Sequence, residues 1–108
     1  MRGWQLSPAA KRLDIVVVAA RYDLLGKLTV AQGFERRGHV WSDLILVDRD
    51  TLIRNLRSRR RVAVAVPTPV PGDFEIVARV RLELKNGVEI LASNSAHADQ
   101  DHLPAPLF

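Results

Sequence analysis

Residues 76–92 read "IVARVRLELKNGVEILA", and this stretch decides the class of fold. Ile76, Ala78, Val80, Leu82 and Leu84 fall on one side of an extended chain, with Val77, Arg79, Arg81, Glu83 and Lys85 on the other. Successive side chains of a strand point to opposite faces, so the pattern predicts one face in a core and one in water. Asn86 and Gly87 mark a turn, and Val88, Ile90 and Ala92 form the apolar set of a returning strand. A two-residue turn would pair Lys85 with Val88 and Leu84 with Glu89, setting charge against core. A three-residue loop pairs Leu84 with Val88, Leu82 with Ile90 and Val80 with Ala92. The expected register is therefore the longer loop, closed by Gly87 in the left-handed region as a G1 bulge.

Working outward, "PTPVPG" (67–72) carries three prolines and a glycine, which suit a connection and not a sheet interior. Before it, "RVAVAV" (61–66) reads as a small apolar strand. "LDIVVVAA" (13–20) is β-branched and reads as another buried strand. Leu24 to Val30 is expected to be its hairpin partner around "ARYD" (20–23), and "AQGFERRGH" (31–39) an exposed loop. Residues 40–56 stay open between strand and helix. In "DRDTLIRNLRS", Leu52, Ile53 and Leu56 have helical spacing behind Asp50 or Thr51 as a cap. Ser7-Pro8 suits the start of a short N-terminal helix. Short strands at this spacing predict a mainly β fold: a small antiparallel β-barrel or rolled sheet of five to six strands with one or two short helices. The expected organisation is an N-terminal arm over 1–12, a β domain over 13–93 and a tail over 94–108.

The chain has 108 residues, enough for one core, and 47% of them are hydrophobic. It carries 16 basic residues against 12 acidic, a formal charge of +4, and a pI near 10.3. Cysteine is absent, which excludes disulfides, thiolate metal sites and cysteine nucleophiles and fits a cytoplasmic protein. "IVVVAA" is too short to cross a bilayer as a helix. The charge is concentrated in "RNLRSRRR" (54–61), where Arg54, Arg57, Arg59, Arg60 and Arg61 follow Arg49 and lead into a strand. Such a patch attracts phosphates, and the expected partner is anionic: nucleic acid, a nucleotide or an acidic protein surface. The alternative is a solvated segment that protects a strand end, in a structural subunit of a homo-oligomer or larger assembly.

Arg57 and Arg61 also make an Arg-x-x-x-Arg spacing just ahead of a strand. This resembles the arginine motif of PilZ domains, small β-barrels that bind cyclic di-GMP, and the resemblance implies cyclic-dinucleotide binding by those two residues. The second PilZ motif has no match, since "SNSAHAD" (93–99) places its serine and asparagine differently and lacks the glycine.

Two further stretches carry candidate chemistry. On an extended "HADQDH", His97, Asp99 and Asp101 share a face and present donors suited to a divalent metal, against the reading of a polar tail. His39, Ser42 and Asp43 are close in sequence, but a catalytic triad requires geometry that neighbours rarely have. No nucleophile elbow, phosphate loop or dinucleotide fingerprint is present, so the reading is a non-catalytic binding module without a cofactor. Finally "LPAPLF" returns to hydrophobicity. Leu103, Leu107 and Phe108 are expected either to dock on another subunit or to fold back on their own domain.

Overall fold

The structure is a computed structural model, and it describes residues 12–93 and 100–108. Residues 1–11 of the N-terminal arm, His97 and Asp99 lie outside the described residues. The elements are β1 (Ile15–Tyr22), β2 (Leu28–Arg37), β3 (Val40–Trp41), β4 (Ile45–Asp48), α1 (Arg49–Arg57), β5 (Val62–Pro67), β6 (Phe74–Lys85) and β7 (Val88–Ser93). The sheet order is β3-β2-β1-β5-β6-β7, with β4 also pairing β2, and the sheet curls into a half-barrel. All pairs are antiparallel except β1 with β5, where Ile15, Val16 and Val17 face Val62, Ala63 and Val64 in parallel. The crossover between those two strands contains β2, β3, β4 and α1.

The main core lies inside the curl and draws on almost every element: Ile15, Val17, Leu28, Val47, Leu52, Ile53, Val62, Val64, Val80 and Leu91. On β1 and β5 the residues of opposite parity, Val16, Ala63 and Ala65, join Leu13 and Phe74 in a second, smaller cluster. Both faces of β1 and β5 are thus covered, which explains their uninterrupted valine and alanine runs.

Several expectations change here. The hairpin at 85–88 uses the two-residue turn: Lys85 pairs with Val88, Leu84 with Glu89 and Leu82 with Leu91. Asn86 (φ 52°) and Gly87 (φ 77°) are both left-handed, as a type I′ turn requires. The alternation argument fails because Ile90, Leu91, Ala92 and Ser93 are all buried, so β7 has no wet face to set its register. At the tip, Leu84 and Val88 are 74% and 55% exposed, and charge beside them meets water. Alternation in β6 also breaks at Val77. Val64 faces Ala78 but Ala65 faces Ile76, so Val77 is the extra residue of a bulge and Ile76 turns to the other face.

The first hairpin is shifted as well. Its turn is 23–27, and residues 31–37, expected as a loop, are the second half of β2. Gly33 is needed there because a β-carbon would lie 2.1 Å from the Val16 carbonyl oxygen. The open stretch 40–56 resolves into two short strands and α1. Asp48, and not Asp50 or Thr51, caps the helix, its Oδ1 accepting from the Thr51 amide at 2.8 Å.

Candidate functional site

α1 directs Leu52 and Ile53 into the core, which leaves Arg54 and Arg57 outward. It ends in a Schellman motif: the Arg59 amide donates to Leu56 O at 3.1 Å and the Arg60 amide to Asn55 O at 3.0 Å. Arg59 holds the left-handed position at φ 62°, where glycine is usual. This reversal turns the chain sharply and spreads the five arginines over different neighbours.

Three of them meet carboxylates. Arg57 forms a two-pronged pair with Glu89 on β7. Arg60 Nη1 donates to Glu35 Oε2 at 3.1 Å and to Asn55 Oδ1 at 2.9 Å. Arg61 lies 3.6 Å from Asp14, which also accepts the Arg61 amide at 2.7 Å and Arg36 at 3.1 Å. Burial pushes the Asp14 carboxyl up, but the Arg61 amide, Arg36 and the nearby charges of Arg60 and Arg61 outweigh it and hold the group below 3.8. The two arginines of the Arg-x-x-x-Arg spacing are therefore held by different carboxylates on different elements.

Arg54 and Arg59 stand apart from this network. Arg54 is exposed and its one side-chain hydrogen bond is to the neutral Thr51 hydroxyl at 3.1 Å, with the charge of Asp48 acting on it through space. The exposed Arg59 guanidinium has no side-chain partner among the described residues. With Arg57, 58% exposed although Glu89 pairs it, they form a partly compensated positive edge at the end of α1.

Asp101, the described member of the expected metal set, has another role. Its Oδ2 accepts from the Leu28 amide (2.8 Å) and Arg49 Nε (2.7 Å), and its Oδ1 from the Leu91 amide (2.9 Å) and Arg49 Nη2 (3.3 Å). Four donors, two of them from the Arg49 guanidinium, occupy both oxygens, so a metal cation has no lone pair to take. Burial raises the carboxyl, while Arg49 and the two amides lower it further, and the net position is below 3.8. The latch joins the start of β2, the start of α1 and β7. Sequence reasoning missed it because Leu28, Arg49, Leu91 and Asp101 share no local pattern.

The closing segment folds back on its own chain. Leu103 is 2% exposed and belongs to the main core. Leu107 pairs with Ala20 along the free part of β1, and Arg21 stacks 4.4 Å from the Phe108 ring centroid. Of the three apolar tail residues, only Leu107, 75% exposed, faces water. Ser42, a member of the local triad pattern, braces the backbone: its hydroxyl accepts from the Glu35 amide and donates to Asp43 O.

One further concavity was not legible in the sequence. Phe34, Trp41 and Phe74 pack at 5.2 to 5.5 Å beside Val40, Pro67 and Val70 around a cavity of about 250 Å³. Its one carboxylate, Asp73, accepts from the Thr68 hydroxyl at 3.0 Å, and no cation lines it. No helix among the described residues is long and apolar enough to cross a membrane. No family model, no curated protein and no solved structure matches this chain.

Proposed function

We propose that the chain is a non-catalytic binding module that takes an anionic partner on the edge formed by Arg54, Arg57 and Arg59. The observation that carries this reading is the division of labour among the arginines. Arg60 and Arg61 are committed to Glu35 and Asp14, whereas Arg59 has no side-chain partner among the described residues and Arg54 makes no ion pair, feeling only the through-space charge of Asp48. Exposed guanidinium groups on a rigid helix end suit phosphate oxygens, which they meet without first breaking an ion pair. The aromatic cavity is the weaker candidate, being smaller than usual ligand sites of about 300–1,000 Å³ and without a charged anchor.

Fluorescence anisotropy with a labelled single-stranded oligonucleotide tests the reading. The double variant Arg54→Gln/Arg59→Gln should keep its melting temperature and lose about tenfold in affinity at low salt. Its log-affinity against log-salt slope should flatten by about 1.4, the effect of two lost phosphate contacts. A parent that binds nothing at low ionic strength, with a mass above the monomer, would favour the structural-subunit role.

A further inference from the structure

The turn between β1 and β2 holds two consecutive leucines in water. Leu24 is 104% and Leu25 85% exposed, the highest values of any large hydrophobic side chain among the described residues. A loose loop would explain this, but the turn is braced from four directions. The Asp23 amide donates to Lys27 O at 2.8 Å and the Gly26 amide to Asp23 O at 3.1 Å. Asp23 Oδ1 accepts from the Leu25 amide at 2.8 Å and the Lys27 amide at 2.9 Å. Gly26 supplies the left-handed residue, at φ 81°. Two leucines are thus presented on a preorganised tip, and little conformational entropy remains to be lost when they are covered.

The second hairpin tip stands beside the first, since Leu25 and Lys27 line the same shallow depression as Val88 and Glu89. Val88 adds a third exposed apolar group, and its cross-strand neighbour Lys85 is exposed too. The cations at this end are Lys27, Lys85 and Arg21, which donates to Phe108 O, together with Arg49 and Arg57, which are paired with Asp101 and Glu89. The one other acid is Asp23, whose carboxylate braces the turn. The surface is convex at Leu24, apolar at its summit and basic at its flanks. A convex apolar tip has no walls to receive a protein side chain, whereas a fluid interface closes around it. Membrane anchoring by a few buried groups is marginal alone and becomes effective when basic residues add attraction to anionic lipid.

We propose that the paired tips dock peripherally on an anionic bilayer, with Leu24 and Leu25 entering the headgroup region and Lys27 facing lipid phosphates. This surface adjoins the arginine edge through the Arg57–Glu89 pair but has its own anchors in Leu24 and Leu25, and it stands whether or not that edge binds nucleic acid. Co-sedimentation with vesicles of phosphatidylcholine alone and of phosphatidylcholine with phosphatidylglycerol tests it. The parent should bind the anionic vesicles and release them at high salt. Leu24→Ser/Leu25→Ser should lose tenfold or more in partitioning with an unchanged circular dichroism melt, and Arg54→Gln/Arg59→Gln should lose at most a few-fold. Because the chain has no cysteine, Leu24→Cys can carry a single environment-sensitive dye. Its emission should shift to the blue on anionic vesicles, while the same dye at Leu46→Cys, on exposed β4, should not shift. The proposal is overturned if the parent ignores anionic vesicles at low salt. It is equally overturned if the Leu46 dye shifts and the Leu24 dye does not, or if the leucine variant changes only the mass in solution.

Discussion

Asp101 shows how much can rest on one carboxylate. Breaking a buried, hydrogen-bonded ion pair by removing one partner costs about 3–5 kcal/mol, because the other charge is left without compensation. Asp101→Asn keeps the shape but supplies one acceptor oxygen where two amides and Arg49 need two, so a loss of about 3 kcal/mol is expected in urea unfolding. A loss under about 1 kcal/mol would mean the latch is closed by something else. Acid should reproduce the effect. The folded-state pKa of Asp101 lies below 3.8, as do those of Asp14 and Asp48, the last mainly through its bond to Thr51. Groups depressed in this way contribute stability that is complete above the unfolded value and lost as pH falls through the folded one. The urea midpoint should therefore be flat above about pH 5 and fall below 3.8, with a shallower fall in Asp101→Asn. Arg59 points the other way. A non-glycine residue at φ 62° is strained, and Arg59→Gly should stabilise the protein by about 0.5–1 kcal/mol, after the unfolded-state entropy of glycine is subtracted. An unchanged or lower midpoint would show that the arginine side chain offsets its own backbone strain.

At the scale of the elements, β1 and β2 depend on an approach that only glycine permits. A methyl group on Gly33 would meet the Val16 carbonyl oxygen at 2.1 Å, and that oxygen belongs to the backbone, so it cannot swing aside. Gly33→Ala should cost about 3 kcal/mol or prevent folding, read by circular dichroism and thermal melting, whereas Gly38→Ala, with open space around it, should cost only its left-handed strain. Sequence reasoning recognised the strands whose burial is simple. β1, β5 and β6 announced themselves through β-branched runs and alternation, and the prolines after Val66 gave the connection. It misread the second half of β2 as a loop because the glycine of a close strand crossing has the same composition signal as the glycine of a turn. It misread the β6–β7 register because a strand buried on both faces carries no parity information, and the Asn-Gly turn chemistry then prevailed. The arginine segment was legible as charge but not as geometry, since Glu35, Glu89 and Asp14, which offset much of it, lie far away in sequence.

Across the whole molecule, the curled sheet stays a half-barrel because its gap is filled by α1 and the closing segment instead of a further strand. Leu103 occupies that gap, with its amide bonded to the Tyr22 hydroxyl at 3.0 Å. Leu103→Ala should cost about 3 kcal/mol, as other buried leucine truncations do, and leave the sedimentation mass unchanged. A lower mass with an intact denaturation midpoint would show that the tail serves association instead. The same gap has a consequence for the order of events during synthesis. Growing from its N-terminus, the chain delivers Leu28, Arg49 and Leu91 before Asp101, and the carboxylate that joins them arrives ten residues after Leu91. Until then the outer edge of β7 stands open, with the Leu91 amide and carbonyl unpaired, and an open edge is a template for another chain. A chain cut short between residues 93 and 100 would therefore hold a sheet complete in its strands yet ready to pair along that edge with another chain.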